Sequence, residues 1–558
     1  MLDRRSFLRR SAAVAGLVAV PSLLSACTAA VPSAPGGSSA APATGAQAAG
    51  GVKLPTYVPA QGAKPDYPGT ADGVDPGYVK FPETLTRTVA EAPSKGGEFT
   101  GMILTTSGPP PPADHNGAWQ QLNSRLGGNL KIIGIPQADY ASKWAAVTAG
   151  GDLPDVMYVT PVPILPNIPA FAKATCADLT PYLSGDAVKD YPNLANYPTA
   201  SWRIAVKNNG IAGVPVVRSL TGPVMFVQQN LVDAAGVGPL KTADDFKRLC
   251  KALTNPQANR WAIGMTNDNT AGPYAMWFFQ GIFRAPNNWR FEGGKLTKDI
   301  ETEEYKAALG FLRDLVAAGY ISPDVKTNVD LNNDLYSGKA TMRANAWANY
   351  QNQYSQASVK FNISIRAIPV LAADASSKPG HILSAGSFGF TLVKNGSPER
   401  IKEMLRVLNF LAAPFGSEEY MINRFGVKGA DYTLDAKGNP ALTEQGAINI
   451  PGTPGQNWGY MASAPNVSFS LDAPEFGHFG HDEQATYIAA GISDPCVGQF
   501  SATDEAKGAQ LNLMIFDRVS AIAAGRAQLS DLDQLVKDWR SQGGDQIRTE
   551  FQQVLGAA

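Results

Sequence analysis

The stretches GEFTGMILTT (residues 97–106), NLKIIGI (129–135), DYASKWAAVTAG (139–150) and LPDVMYV (153–159) decide the fold class. The first, second and fourth are short apolar runs of strand length. Between the first two, Trp119, Leu122 and Leu126 recur at helical spacing, and Gly127-Gly128 stops that helix. DYASKWAAVTAG reads as a second helix ended by glycine. Strand, helix, strand, helix, strand is the pattern of a parallel sheet with crossover helices, which predicts an α/β fold.

The pattern continues outward. NGIAGVPVVR (209–218) leads to a strand-like GPVMFVQQ (222–229). Lys241-Thr242-Ala243-Asp244-Asp245-Phe246 predicts a capped helix start, with Phe246, Leu249, Cys250 and Leu253 on one face. Another helix is expected after Thr302, with Tyr305, Leu309, Leu312 and Val316 aligned. HILSAGSFGFTLVK (381–394) reads as strand, and Ser397-Pro398-Glu399 as a helix start. The tail from about Asp504 reads as two helical pieces broken near Gly525. No fixed-period repeat is visible.

The amino terminus belongs to export rather than to the fold. Arg4, Arg5, Arg9 and Arg10 precede an uncharged run from Ser11 to Ala26, shorter than the ~20 apolar residues a membrane span needs. A basic head, a short apolar middle and small residues at the exit read as a signal peptide over 1–26. Arg4-Arg5-Ser6-Phe7-Leu8 is the twin-arginine variant. Leu24-Ser25-Ala26-Cys27 resembles a bacterial lipobox, which implies cleavage before Cys27 and a lipid on its sulfur; the alternative is an ordinary secretory signal with a chance cysteine. From Thr28 to Val52 no residue is charged, and Ala, Gly, Ser, Pro and Thr dominate. Such composition cannot bury enough apolar surface to offset its ordering entropy. Residues 27–95 are therefore expected to form a lipidated, flexible linker.

About 460 residues remain, enough for two domains with full cores. The chain's formal net charge is −1, and losing a signal segment of net +3 leaves it at −4. No basic block suits nucleic acid, and no polybasic patch suits anionic lipid. Cys176, Cys250 and Cys496 are widely spaced with no Cys/His cluster, which argues against zinc. Which of them, if any, form a disulfide is open.

A run of motifs resembles the extracellular solute-binding proteins of the sugar-binding class, the ligand-capturing partners of ABC importers. It is most similar to the long branch that includes lipoproteins for plant or algal oligosaccharides. The carriers begin with Gly151-Asp152-Leu153-Pro154-Asp155-Val156-Met157 and Asn209-Gly210-Ile211-Ala212-Gly213-Val214-Pro215. Leu231-Val232-Asp233-Ala234-Ala235-Gly236-Val237 and Phe283-Arg284-Ala285-Pro286-Asn287-Asn288-Trp289 follow. Then come Leu315-Val316-Ala317-Ala318-Gly319-Tyr320-Ile321 and Ser337-Gly338-Lys339-Ala340-Thr341-Met342 before Ala346-Trp347. Phe425-Gly426-Val427-Lys428-Gly429-Ala430-Asp431-Tyr432-Thr433 and Gly543-Gly544-Asp545-Gln546-Ile547 complete the order. The resemblance spans about residues 95 to 556, and only the order of its individually weak motifs makes it specific.

It implies a two-lobed periplasmic-binding-protein-like fold, each lobe a sheet flanked by helices, with the ligand cleft between lobes. The expected division is an N-terminal lobe of 96–220 plus 388–470 and a C-terminal lobe of 221–387 plus 471–558. Crossings are expected near 218–226, 384–392 and 460–480. Partners implied are an oligosaccharide, the transmembrane subunits of an ABC permease, and the membrane through the lipid anchor. The body is expected outside the cell membrane or in the periplasm, as a monomer without cofactor.

A sugar ring offers an apolar CH face and a rim of hydroxyls, so its site needs aromatic plates and planar polar groups. Trp347 follows the Gly338–Met342 stretch, a position that commonly stacks on ligand in the family; Asn345 lies beside it. Tyr274 and Trp277 belong to an aromatic cluster after a Gly/Asn-rich turn. Trp458 lies in a Gly/Pro loop, and Trp289 closes an Asn-rich turn. Each could equally be a packing aromatic, the role expected of Trp119, Trp144 and Trp202. Thr106 and Ser107 end the first strand and Tyr158 the third, at ends that should face the cleft. Arg218, beside the first crossing, could grip hydroxyls or a uronate carboxylate, or form a surface ion pair.

Departures from the family also inform. Leu253–Arg260 lacks the carboxylates of a calcium-type loop, so no metal is expected there. Asp330–Asp334 mimics the start of an EF-hand loop, but Leu335 stands where glycine is needed. GxSxG, HExxH and P-loop motifs are absent. His478 and His481 with Glu475 or Asp482 could hold a cation but read better as a polar loop. The sequence predicts a binding protein, not an enzyme. A surface-anchored polysaccharide hydrolase or a non-catalytic adhesin is the alternative, because distances between carboxylates are not legible.

Overall fold

The computed structural model describes residues 52–60, 62–105, 109–161, 165–265, 273–325, 328–451 and 456–556. The expected signal segment, Cys27 and the spacer to Gly51 lie outside the described residues, as do Thr106 and Ser107.

Ten strands build two five-stranded sheets. They are β1 (Glu98–Thr105), β2 (Asn129–Pro136), β3 (Val156–Val159), β4 (Gly213–Val217), β5 (Pro223–Gln228), β6 (Trp261–Met265), β7 (Ile321–Val325), β8 (Ala340–Ala346), β9 (Ile365–Ala367) and β10 (Ser387–Val393). The first sheet has the order β2-β1-β3-β10-β4 and the second β7-β6-β8-β5-β9. In the first, β1 runs parallel to β2 and β3, while β10 is antiparallel to both β3 and β4. In the second, β6, β7 and β8 are parallel, and β5 is antiparallel to β8.

The expected helices stand where their caps put them. Asn116 accepts the Trp119 N–H to open Gly117–Leu126, which ends at Gly127 in the left-handed region. Thr242 and Asp245 form a reciprocal capping box at the head of Ala243–Leu253, a contribution of about 1 kcal/mol. That helix buries Phe246, Leu249, Cys250 and Leu253. Trp119, Trp144 and Trp202 are core residues, as expected. The tail helices carry Leu511, Val519, Trp539 and Phe551 into the core beneath the second sheet.

Two adjacent antiparallel segments join the sheets. Arg218 N–H donates to Gly386 O at 2.9 Å, and Ser384 N–H to Leu220 O at 2.8 Å. A third connection runs past Ser463, whose hydroxyl donates to Val217 O, to the helix Phe476–Ala489.

The linker expectation needs correction between 52 and 95. Leu54 is fully buried in the first core, and Tyr78 and Phe81 pack with Phe415 and Phe469. Thr56 and Val58 donate their N–H groups to Gly185 O and Ala195 O. Proline-rich backbone has few donors to satisfy, so sparse hydrogen bonds and a few apolar anchors suffice to dock it. This segment is a strap. Its residue Gly77 packs so closely on the helix Phe476–Ala489 that a Cβ would lie 2.3 Å from Gly477 O.

Candidate ligand site at the strand ends

Strand direction points to a candidate site. The carboxyl ends of β1, β2, β3 and β4 share one edge of the first sheet, where the chain leaves Val217 for the crossing. In the second sheet Ala346, the last residue of β8, faces Pro223, the first of β5. The carboxyl ends of its parallel strands therefore also meet the crossing. Ligands in open α/β sheets bind at such ends.

Four of the expected residues keep some exposure: Arg218 and Asn345 lie near these strand ends, and Tyr274 and Trp277 pack against the second core. Arg218 is half-buried directly after β4, and one guanidinium N–H donates to Val217 O at 2.8 Å. Asn345 ends β8. Its carbonyl accepts from Ala346 N–H and the Asn349 amide, so its own N–H groups have no partner among the described residues. Tyr274 follows β6, half-buried and at φ 55°, and Trp277 is half-buried in the helix Met276–Ile282. A tyrosine in the left-handed region is uncommon.

Four other assignments need correction, because their rings are committed to packing. Trp458 is 1% exposed and donates its indole N–H to Asn423 O at 2.9 Å. Trp289 lies against Trp539 and Phe551, away from the strand ends. Tyr158 is fully buried, and its hydroxyl donates to Phe388 O. Trp347 is at the expected place but only 5% exposed, its ring edge-on to Tyr350 and Tyr487. It fixes the end of β8, with its backbone N–H on Gly222 O at 2.8 Å. Periodicity cannot separate these cases, since a loop tryptophan and a core tryptophan carry the same signal.

Two features escaped the sequence reading. Around Gly386 the hydroxyls of Ser201 and Ser387 are buried with no partner among the described residues. Behind the crossing, the strap's Asp75 is paired with Gln484. Asp75 N–H donates to Gln484 Oε1 at 2.7 Å, and Gln484 Nε2 donates to Asp75 Oδ2 at 2.8 Å and to Ser219 Oγ at 2.7 Å. Nearby, His381 Nε2 bonds Thr221 O at 2.6 Å. No local motif signals residues 75 and 484, because only the folded chain joins them.

Burial drives the carboxyl of Asp75 up to about 6, against the hydrogen bonds from Gln484 and Ser219. Burial also drives His381 down to about 4. Folding thus takes up a proton at Asp75 between about pH 4 and 6, so its contribution to stability falls as pH rises through that window. His381 acts in the opposite sense, losing stability as pH falls below its unfolded value. Asp75→Asn isolates the first effect. The stability of the variant relative to wild type should climb between pH 4 and 6 and level off above, by denaturant titration; a flat difference would refute the assignment.

His478 and His481 lie in the helix Phe476–Ala489 rather than in a loop. His478 pairs with Asp482, and His481 bonds Pro68 O of the strap. Among the described residues no three His, Cys, Asp or Glu side chains converge on a metal position. The Asn255–Arg260 turn closes on itself through Asn255, whose side chain accepts the Ala258 N–H. Asp330–Asp334 falls within the helix Asn328–Ser337. No described helix is long and apolar enough to cross a membrane.

Residues 118–416 match the bacterial extracellular solute-binding protein family, and the chain belongs to it. It is similar to Lipoprotein LipO of Bacillus subtilis (strain 168), 24% identical over 469 residues, covering 80% of this chain and 90% of that one. The polygalacturonan/rhamnogalacturonan-binding protein YtcQ of the same organism is 22% identical over 467 residues, covering 80% and 89%. Among solved structures, an HMO-binding, ABC-transporter-associated solute-binding protein from Bifidobacterium longum infantis ATCC 15697 superposes with a TM-score of 0.60. It shares 15% identity and covers 83% of this chain and 99% of that one. The two-lobed α/β architecture is that of this family's fold.

Proposed function

We propose that the chain captures an oligosaccharide at the facing strand ends and delivers it, chemically unaltered, to an ABC permease. The observation that carries this reading is the convergence of both sheets' carboxyl ends on a paired crossing, with Arg218 and Asn345 near those ends. Two short antiparallel connections suit hinge closure, in which a few residues at element ends absorb the motion. The names of YtcQ and of the Bifidobacterium structure, which refer to carbohydrate ligands, support the ligand class. The Arg4-Arg5 motif and Cys27 add export and lipid anchoring, so the body would work at the outer face of a membrane, as a monomer. The lobes would divide near residues 220, 387 and 470.

A thermal-shift screen tests the reading, because a ligand that binds only the folded state stabilises it by about 2.7 kcal/mol at a hundred times its Kd. At least one oligosaccharide should raise the melting point by several degrees, bind one-to-one by calorimetry and be recovered intact. Cleaved product after incubation would favour the hydrolase alternative. A panel without any binder would overturn the carbohydrate reading.

A further inference from the structure

The strap holds both sides of the hinge at once. Its ends belong to the first sheet. Leu54 is buried in that sheet's core, and Thr86 N–H donates to Gly416 O at 3.1 Å. Beside Gly416, Glu418 and Glu419 pair with Arg125 of the helix Gly117–Leu126 at 3.1 and 3.5 Å. The middle of the strap lies elsewhere. The Tyr67 ring packs on His478 and His481 of the helix Phe476–Ala489, with centroids 4.9 and 5.6 Å apart, and His481 Nε2 donates to Pro68 O at 3.1 Å. That helix is fastened to the second sheet. Glu483 accepts from the Tyr350 hydroxyl at 2.7 Å and from Arg366, on β9, at 2.6 Å. Phe476 and Tyr487 share a buried cluster with Phe226 of β5 and Trp347.

Between these anchorages, residues 73–75 reach the crossings. Gly73, at φ +106°, comes so close that a Cβ would lie 2.1 Å from Leu220 Cδ1. Val74 is buried with Leu220, Leu383 and Ile488, one residue from each antiparallel crossing and one from the helix. Asp75 reaches Ser219 through Gln484, and Ser219 O accepts from Ser384 Oγ at 2.8 Å. Both crossings and the helix of the third connection therefore meet this tripeptide. A hinge bending at the crossings carries the helix with the second sheet while the strap's ends stay with the first. Val74 must then shift against Leu220, Leu383 or Ile488. Packed side chains switch between discrete arrangements rather than stretch, so the contact resists small rotations.

We infer that the strap is a brace, a noncovalent fourth bridge between the lobes that narrows the range of lobe positions and sets how far the chain is closed before ligand arrives. This inference rests on the hinge-closure reading above and deepens it. Apparent affinity scales with the populated fraction of the binding-competent conformation. Residues 67–75 thus tune affinity without contacting the ligand.

Paired spin labels test it. Ketone side chains at the exposed Lys173, in the helix Ile168–Thr175, and Lys251, in Ala243–Leu253, carry the labels, leaving the buried Cys176, Cys250 and Cys496 untouched. Double electron–electron resonance then reads the distance between the lobes. The wild-type distribution should be narrow. Val74→Ala removes the contact with the crossings, and Tyr67→Ala releases the strap's middle from the helix while leaving the crossing residues intact. Each should widen the distribution about twofold, as further lobe positions become populated. Melting curves verify that the variants fold. A distribution that both variants leave unchanged overturns the brace. Closure itself is judged apart, on the wild-type chain with the oligosaccharide selected by the melting-point screen. If that sugar shifts the wild-type distribution while the variants match wild type, closure stands and the brace falls. If it shifts nothing, hinge closure and the brace fall together.

Discussion

Gln484→Ala should destabilise the protein by about 3–5 kcal/mol. Gln484 is fully buried and joins three parts of the chain: its own helix, the strap at Asp75 and the crossing at Ser219. Truncation leaves a buried N–H and a buried carboxyl without their partner, and removes one methylene group and an amide from a packed site. Each loss is of order 1–3 kcal/mol, and none can be recovered from water. Denaturant unfolding measures the loss. Limited proteolysis should also open the strap near residues 66–78 sooner in the variant. A change below about 1 kcal/mol would show that the Asp75–Gln484–Ser219 contact is incidental.

Gly389→Ala should have a comparable effect by a different route, on the order of 4 kcal/mol. Gly389 lies in β10 where the pairing with β4 shifts register between Ser387 and Phe390, and its φ is +83°. A Cβ there would lie 2.1 Å from Val159 O and 2.9 Å from the Tyr158 hydroxyl. The first neighbour is backbone of the adjacent strand, so relief requires the two strands to part. The same glycine lets the Tyr158 ring pass close to β10 and reach Phe388 O. The variant should therefore lose ligand affinity as well as stability, since Ser387 and Arg218 are held by this pairing. Unchanged unfolding would mean that the bulge is plastic.

The lobes were legible because their elements are local. Strand runs such as LPDVMYV and caps such as Thr242 and Ser397 carry their own signals within a few residues. The Asp155 of that run illustrates what a family motif can encode. It accepts the Thr100 N–H at 2.8 Å and pairs with Arg400 at 2.9 Å, tying β1 to a distant helix. Its role is structural. The site was legible only in part. Arg218 and Asn345 stand out as candidates because polar residues at strand ends have few other uses. The burial of Trp458 and Trp289 is not legible in the sequence, because it depends on partners brought in by tertiary packing, Asn423 and Trp539. The strap was read as a leash because proline-rich composition looks alike whether docked or loose.

The strap also bears on biosynthesis. Asp75 and Gln484 are 409 residues apart, and β10, which sits between β3 and β4, is made long after both. A ribosome releasing the chain from its amino end exposes an unfilled gap in the first sheet until residue 393 has emerged, and an undocked strap until residue 484 has. Contacts this distant are paid for in loop entropy before they stabilise anything, which makes assembly slow. Maturation is thus a post-translational event, and the nascent polypeptide needs protection from aggregation during nearly all of its synthesis.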